Sequence, residues 1–94
     1  MRAVKDTVLA PLGDEQITSL SAAVGLTVPR HATFCLLQAE TQNIRWRDSG
    51  SDPTAAVGHI LYAGDIGFWY NANLSAIKFI EVSASAKLNV SYYK

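Results

Sequence analysis

The chain predicts an all-β fold, a small β-sandwich of jelly-roll-like type with six to seven antiparallel strands. Three observations carry that expectation. Short apolar runs recur at spacings of about eight to twelve residues. Clusters of Gly, Pro, Asn, Asp and Ser separate them. Ser19 to Thr27, which follows the one helix-like start, keeps no 3.6-residue apolar period for more than about two turns. Apolar residues make up 49% of the 94 positions against 17% charged, which suits a packed core and not a disordered tail. The length fits one domain, residues 1–94.

Taken in order, residues 3–10 (AVKDTVLA) are β-prone at Val4, Thr7, Val8 and Leu9, and Pro11 and Gly13 end the run. This is a first edge strand, or an extended arm within residues 1–13 that adds to a neighbour's sheet edge. Asp14 to Thr18 resembles a helix start, but Ser19 to Thr27, with Gly25 and then Pro29, does not continue it. Thr33 to Glu40 reads as a fully buried central strand, because Phe34, Cys35, Leu36 and Leu37 leave no polar face in its middle. Thr41-Gln42-Asn43 is a hairpin-sized turn into the Ile44 to Asp48 strand, where Ile44 and Trp46 share one face and Asn43, Arg45 and Arg47 the other.

Asp48 to Pro53 is a polar turn, and Gly58 to Tyr62 is a second apolar run. Ala63-Gly64-Asp65 is short enough to fold that run and Ile66 to Tyr70 into a hairpin, with Gly64 at positive φ. After Asn71-Ala72-Asn73, Leu74 to Val82 places Ile77 and Phe79 together. Ser83 to Ala86 is the last turn, and Lys87 to Tyr93 alternates with Leu88, Val90 and Tyr92 inward. The expected core is Phe34, Leu36, Trp46, Ile60, Phe68, Ile77, Phe79, Leu88, Val90 and Tyr92.

Eight basic residues balance eight acidic ones without a cluster, which argues against nucleic acid as partner. No apolar run approaches the roughly 20 residues that span a bilayer, so no membrane partner is expected. Lys5 and Asp6 interrupt the position where a signal peptide is hydrophobic, and Cys35 is alone, so an intracellular site of synthesis is expected. The neighbours of Cys35 make it a buried, inert thiol.

No catalytic set assembles, and the chain reads as a non-enzyme without cofactor. His31 and His59 lie far apart, and Cys35 adds no zinc spacing. Gly58-His59 through Ala63-Gly64-Asp65 resembles a cupin hairpin in turn geometry alone, without that family's paired histidines and acidic ligand. Asp48, Asp52 and Asp65 sit in turns, where Asp caps its own backbone. Asn73-Leu74-Ser75 and Asn89-Val90-Ser91 match the glycosylation tripeptide, which carries meaning only in a secretory context. The candidate partner-binding residues are Arg45 and Arg47, the one close basic pair on a strand, and Trp69 and Tyr70. Those two aromatics are adjacent, so one points away from the core, toward a protein neighbour or a stacked sugar.

Arg45-Trp46-Arg47-Asp48, Pro53-Thr54-Ala55, Gly58, Gly64-Asp65 and the terminal Leu88 to Tyr93 follow one another in an order that resembles small virion structural proteins of tailed bacteriophages. The resemblance covers residues 43–94. It implies a capsid decoration or cement protein bound to the major capsid protein, or a neck or tail accessory protein, made in the host cytoplasm and located in the virion. It supplies no catalytic residues. A homo-oligomer, a trimer before other states, follows as an expectation from a small neutral sandwich with exposed strand edges; a carbohydrate- or receptor-binding sandwich is the alternative.

Overall fold

A computed structural model describes residues 10–94. These residues form eight strands and no helix: β1 (Pro11–Ile17), β2 (Val24–Gly25), β3 (Phe34–Glu40), β4 (Ile44–Arg47), β5 (His59–Leu61), β6 (Phe68–Tyr70), β7 (Lys78–Glu81) and β8 (Lys87–Tyr93). Two four-stranded antiparallel sheets result, β1-β8-β3-β6 and β2-β7-β4-β5.

The pairing has a simple logic. β1 pairs with β8, β2 with β7, β3 with β6 and β4 with β5, which are successive rungs of one long antiparallel ribbon folded at its middle. Rolling that ribbon brings β8 against β3 and β7 against β4, and closes the two sheets over a shared core. This is the jelly-roll order. Among the described residues, β4 to β5 is the one connection between consecutive strands that stays within a sheet, and every other connection crosses from sheet to sheet. The crossing bends β3 to β4 and β7 to β8 are tied together, the Thr41 hydroxyl donating to the Ser85 carbonyl, with both residues at positive φ (71° and 74°).

Period-two alternation fixes what each sheet turns inward. The first sheet contributes Cys35, Leu37, Ala39, Tyr70, Leu88, Val90 and Tyr92, and the second Ile44, Leu61 and Phe79, with Trp46 and Val24 partly buried against them. Leu20, Leu74, Ile77 and Ala86 close the ends from the connecting segments. At the β1 edge the Tyr92 hydroxyl donates to the Glu15 carboxylate, which also accepts the Thr27 N–H at 3.0 Å.

Several expectations are corrected. The arm or strand over residues 3–10 lies, up to residue 9, outside the described residues. Pro11 and Gly13 do not end a strand: both belong to β1, where the register slips between them and Gly13 takes φ 134°. Among the described residues β1 is an edge strand, where proline is tolerated. The helix-start pattern at Asp14 is likewise strand, and the short β2 adds a further strand where none was expected.

The hairpins expected at Thr41 to Asn43 and at Ala63 to Asp65 are sheet-crossing bends, although Gly64 does take positive φ (86°). Leu74 to Val82 narrows to Lys78–Glu81, since Ala76 and Ile77 both donate to the Asn73 carbonyl in a turn. β3 is buried on one face only, with Phe34, Leu36, Gln38 and Glu40 outward. Phe34, Leu36 and Ile60 therefore sit half-buried, and Phe68 is 40% exposed, while Ile77, Phe79, Leu88, Val90 and Tyr92 are core as expected.

Candidate interaction surfaces

Of the three turn aspartates, Asp48 and Asp52 have side-chain partners and Asp65 sits in a turn closed by its backbone. The Tyr70 hydroxyl donates to Asp48 at 2.7 Å, Asp52 pairs with Lys78 at 3.2 Å on the surface, and the Asp65 N–H closes a turn onto the Tyr62 carbonyl at 3.2 Å. Cys35 is fully buried, and burial pushes its thiol up to about 11, far from a reactive thiolate. Among the described residues no three His, Cys, Asp or Glu side chains group as metal ligands. His59 lies instead against the Trp46 ring, centroids 4.6 Å apart.

The four candidate partner-binding residues do not converge. Arg45 and Arg47 project from the outer face of the β2-β7-β4-β5 sheet and Trp69 from the outer face of the other. Arg45 is committed to its own chain: Nε donates to the Ala55 carbonyl at 3.0 Å and a terminal nitrogen to the Gly58 carbonyl at 2.7 Å. The Arg47 stem runs beside Gly58. Of the adjacent aromatics Trp69 is the outward one, 50% exposed; Tyr70 turns inward and is 5% exposed, which removes it as a contact residue.

These contacts also explain the motif that runs from Arg45 to Gly58. Arg45 holds two carbonyls of the 48–58 connection, Asp48 takes the Tyr70 hydroxyl, and Pro53 is fully buried. Thr54 and Val57 exchange two backbone hydrogen bonds, and Gly58 sits at φ 138°, where an added Cβ would lie 3.0 Å from the Trp46 carbonyl. The motif builds the β4 to β5 hairpin, the one in-sheet connection among the described residues.

Two surfaces remain. The first is the open side of the sandwich between the edge strands β5 and β6. A cleft of about 190 Å³ opens there over buried Leu37, Ala39 and Leu61, walled by Tyr62, Ile66 and Phe68. Three large apolar side chains of the rim are exposed, Ile66 at 92%, Tyr62 at 55% and Phe68 at 40%, with Gln38 and Asp65 between them. The loop that carries Ile66 is fastened to the sandwich, with the Gly64 N–H donating to the Ala39 carbonyl (3.2 Å) and the Ala63 N–H to Asn43 Oδ1 (2.9 Å). Ile66 is thus held in water by a built loop.

The second surface is the outer face of the β1-β8-β3-β6 sheet. Phe34, Trp69 and Tyr93 touch one another there, with ring centroids 5.4 to 5.7 Å apart. Leu36 lies opposite Trp69 in the register, and Ser91 opposite Leu36. Further along the same face Gln16, Asn89 and Gln38 stand in cross-strand register, and the next pair is Lys87 and Glu40. Sequence reasoning missed Phe34 and Tyr93 because it counted Phe34 as core. The phase was readable from Gln38 and Glu40, which share its side of the strand.

Comparison with protein-family models, with curated proteins and with solved structures finds no match to this chain.

Proposed function

We propose that the chain is a non-enzymatic structural component of a tailed-phage virion, a capsid decoration or cement protein that seats on the major capsid protein lattice through the β5/β6 side of the sandwich. The observation that supports an assembly role is the cleft with its fixed, exposed rim of Tyr62, Ile66 and Phe68. Apolar side chains held in water on a domain of this size are a mark of a surface that a partner covers. The rim is already ordered, so docking loses little loop entropy, and among the described residues both flanking strands lie at sheet edges. The phage context rests on the resemblance over residues 43–94.

A homo-oligomer, a trimer first, would present several copies of this edge to a repeating lattice and gain effective concentration from each. A neck or tail accessory protein uses the same edge with a different neighbour, and copy number separates the two. In purified particles, abundance in proportion to the shell subunit supports decoration; a few copies at one vertex or on the tail assign it to the neck or tail class. Ile66→Asp tests the surface itself. The side chain is almost fully exposed, so the variant folds, and its loading on particles falls at least about tenfold, equivalent to about 1.4 kcal/mol. Unchanged loading overturns the assignment of this edge.

A further inference from the structure

We infer that the outer face of the β1-β8-β3-β6 sheet is a binding face for a neutral oligosaccharide, centred on Trp69, meeting the β5/β6 cleft at Gln38 and independent of the assembly role. The face carries two chemistries in a fixed order along the strands. At one end Phe34, Trp69 and Tyr93 form a contiguous aromatic cluster beside Leu36. At the other, Gln16, Asn89 and Gln38 form a row across three strands.

The amide row is held by its own hydrogen bonds. Gln16 Nε2 donates to Asn89 Oδ1 at 2.8 Å, and Asn89 Nδ2 donates to Glu40 Oε1 at 3.0 Å and to Gln38 Oε1 at 3.4 Å. Gln38 Nε2 in turn donates to the Asp65 carbonyl at 3.4 Å. Each primary amide has two N–H donors and an oxygen with two lone pairs. Beyond those bonds there remain one N–H on Gln16 and one on Gln38, the Gln16 oxygen, and a second lone pair on the oxygens of Asn89 and Gln38. The row thus offers donors and acceptors together, on side chains whose rotamers are already set, and a ligand that uses them does not have to order them.

A hexopyranose matches this combination. Its C–H faces are apolar and lie against aromatic rings, and its hydroxyls both donate and accept, as the free amide positions require. At the aromatic end Phe34, Leu36, Trp69, Tyr93 and Ser91 carry no charge and the one neighbouring ion is the Asp14 carboxylate, opposite Ser91 on β1, while the acidic and basic pair Glu40 and Lys87 stands at the far end, so that no excess of positive charge awaits an anionic sugar. A neutral sugar therefore fits better than a sulfated or phosphorylated one. β8 is seven residues long, about 20 Å of strand at roughly 3.3 Å per residue, so the face has room for a short chain of sugar rings.

The test uses the full chain and three probes, cellohexaose, chitohexaose and mannohexaose, each titrated while the Trp69 indole N–H is followed by NMR. At least one hexamer at about 1 mM shifts that signal saturably. Trp69→Ala weakens the binding at least about tenfold, as expected of an aromatic anchor, and Gln38→Ala weakens it less, while Ile66→Asp leaves it unchanged. Three outcomes overturn the inference: no hexamer shifts the Trp69 signal, binding survives Trp69→Ala undiminished, or the signal responds to chain concentration instead, which makes the face a contact between copies. None of these bears on particle loading through Ile66, so this inference and the assembly role fail separately.

Discussion

The Tyr70 hydroxyl donates to the Asp48 carboxylate at 2.7 Å and accepts the Asn73 backbone N–H at 2.8 Å, joining β6 of one sheet to the end of β4 in the other. Tyr70→Phe removes both bonds and leaves a carboxylate without its donor. A hydrogen bond to a charged group contributes about 1.5 to 3 kcal/mol. Urea unfolding at pH 7 should show a loss in that range, and Asp48→Ala combined with Tyr70→Phe should cost less than the sum of the two. Strict additivity would show that the two groups do not interact.

Neighbouring leucines on β3 should respond differently. Leu37 is fully buried and Leu36 is half-buried on the outer face. Leu37→Ala should cost about 2 to 5 kcal/mol, the range for a cavity in a core, and Leu36→Ala at most about half as much. Equal losses in denaturant unfolding would contradict the strand's phase. Trp46→Ala should fall below the about 3 to 5 kcal/mol of a fully buried ring, because Trp46 is only partly buried.

Gly58→Ala combines two penalties. The residue sits at φ 138°, and a new Cβ would lie 3.0 Å from the Trp46 carbonyl and 3.3 Å from the Arg45 Cβ. Positive φ alone costs an L-residue about 1 to 3 kcal/mol. The variant should melt earlier than the parent, and should also loosen the 48–58 connection that Arg45 holds. An unchanged melting temperature would exclude the close approach.

Stability should fall at alkaline pH. Burial raises the Cys35 thiol from 9.0 to about 11, raises Tyr70 from 10.0 to about 12, and pushes Tyr92 upward as well. Each group holds its proton more tightly folded than unfolded. Its contribution is complete below the unfolded value and is lost as pH rises through the folded one. Urea midpoints should therefore hold level up to about pH 9 and decline between pH 9 and 12, the window set by Cys35 and Tyr70. A level midpoint throughout that window would show that these groups titrate in the fold as they do in water.

Much of the architecture was legible in particular residues. Alternation at Leu88, Val90 and Tyr92, the outward polar run at Lys87, Asn89 and Ser91, and the turn cluster from Asp48 to Pro53 are local signals, and each is where the sequence placed it. Cys35 was readable as a buried thiol from its apolar neighbours. The amide and ring face was half legible: Trp69 beside Tyr70 required one outward ring, but which one depended on the phase of β3, to which β6 pairs.

The sequence by itself determined that this chain is β, where most of its turns fall, and which face of β8 and β7 is apolar, because those properties arise from residues within a few positions of one another. Only the tertiary structure decided that Thr41 to Asn43 and Ala63 to Asp65 cross between sheets, that Pro11 and Gly13 lie within a strand, and that Phe34, Trp69 and Tyr93 meet. A short turn has the same composition whether its flanking strands pair with each other or with distant partners. The choice is made by burial: the rolled ribbon covers Leu37, Ile44, Phe79 and Leu88 in one core, which paired neighbours in a simple meander would leave half in water.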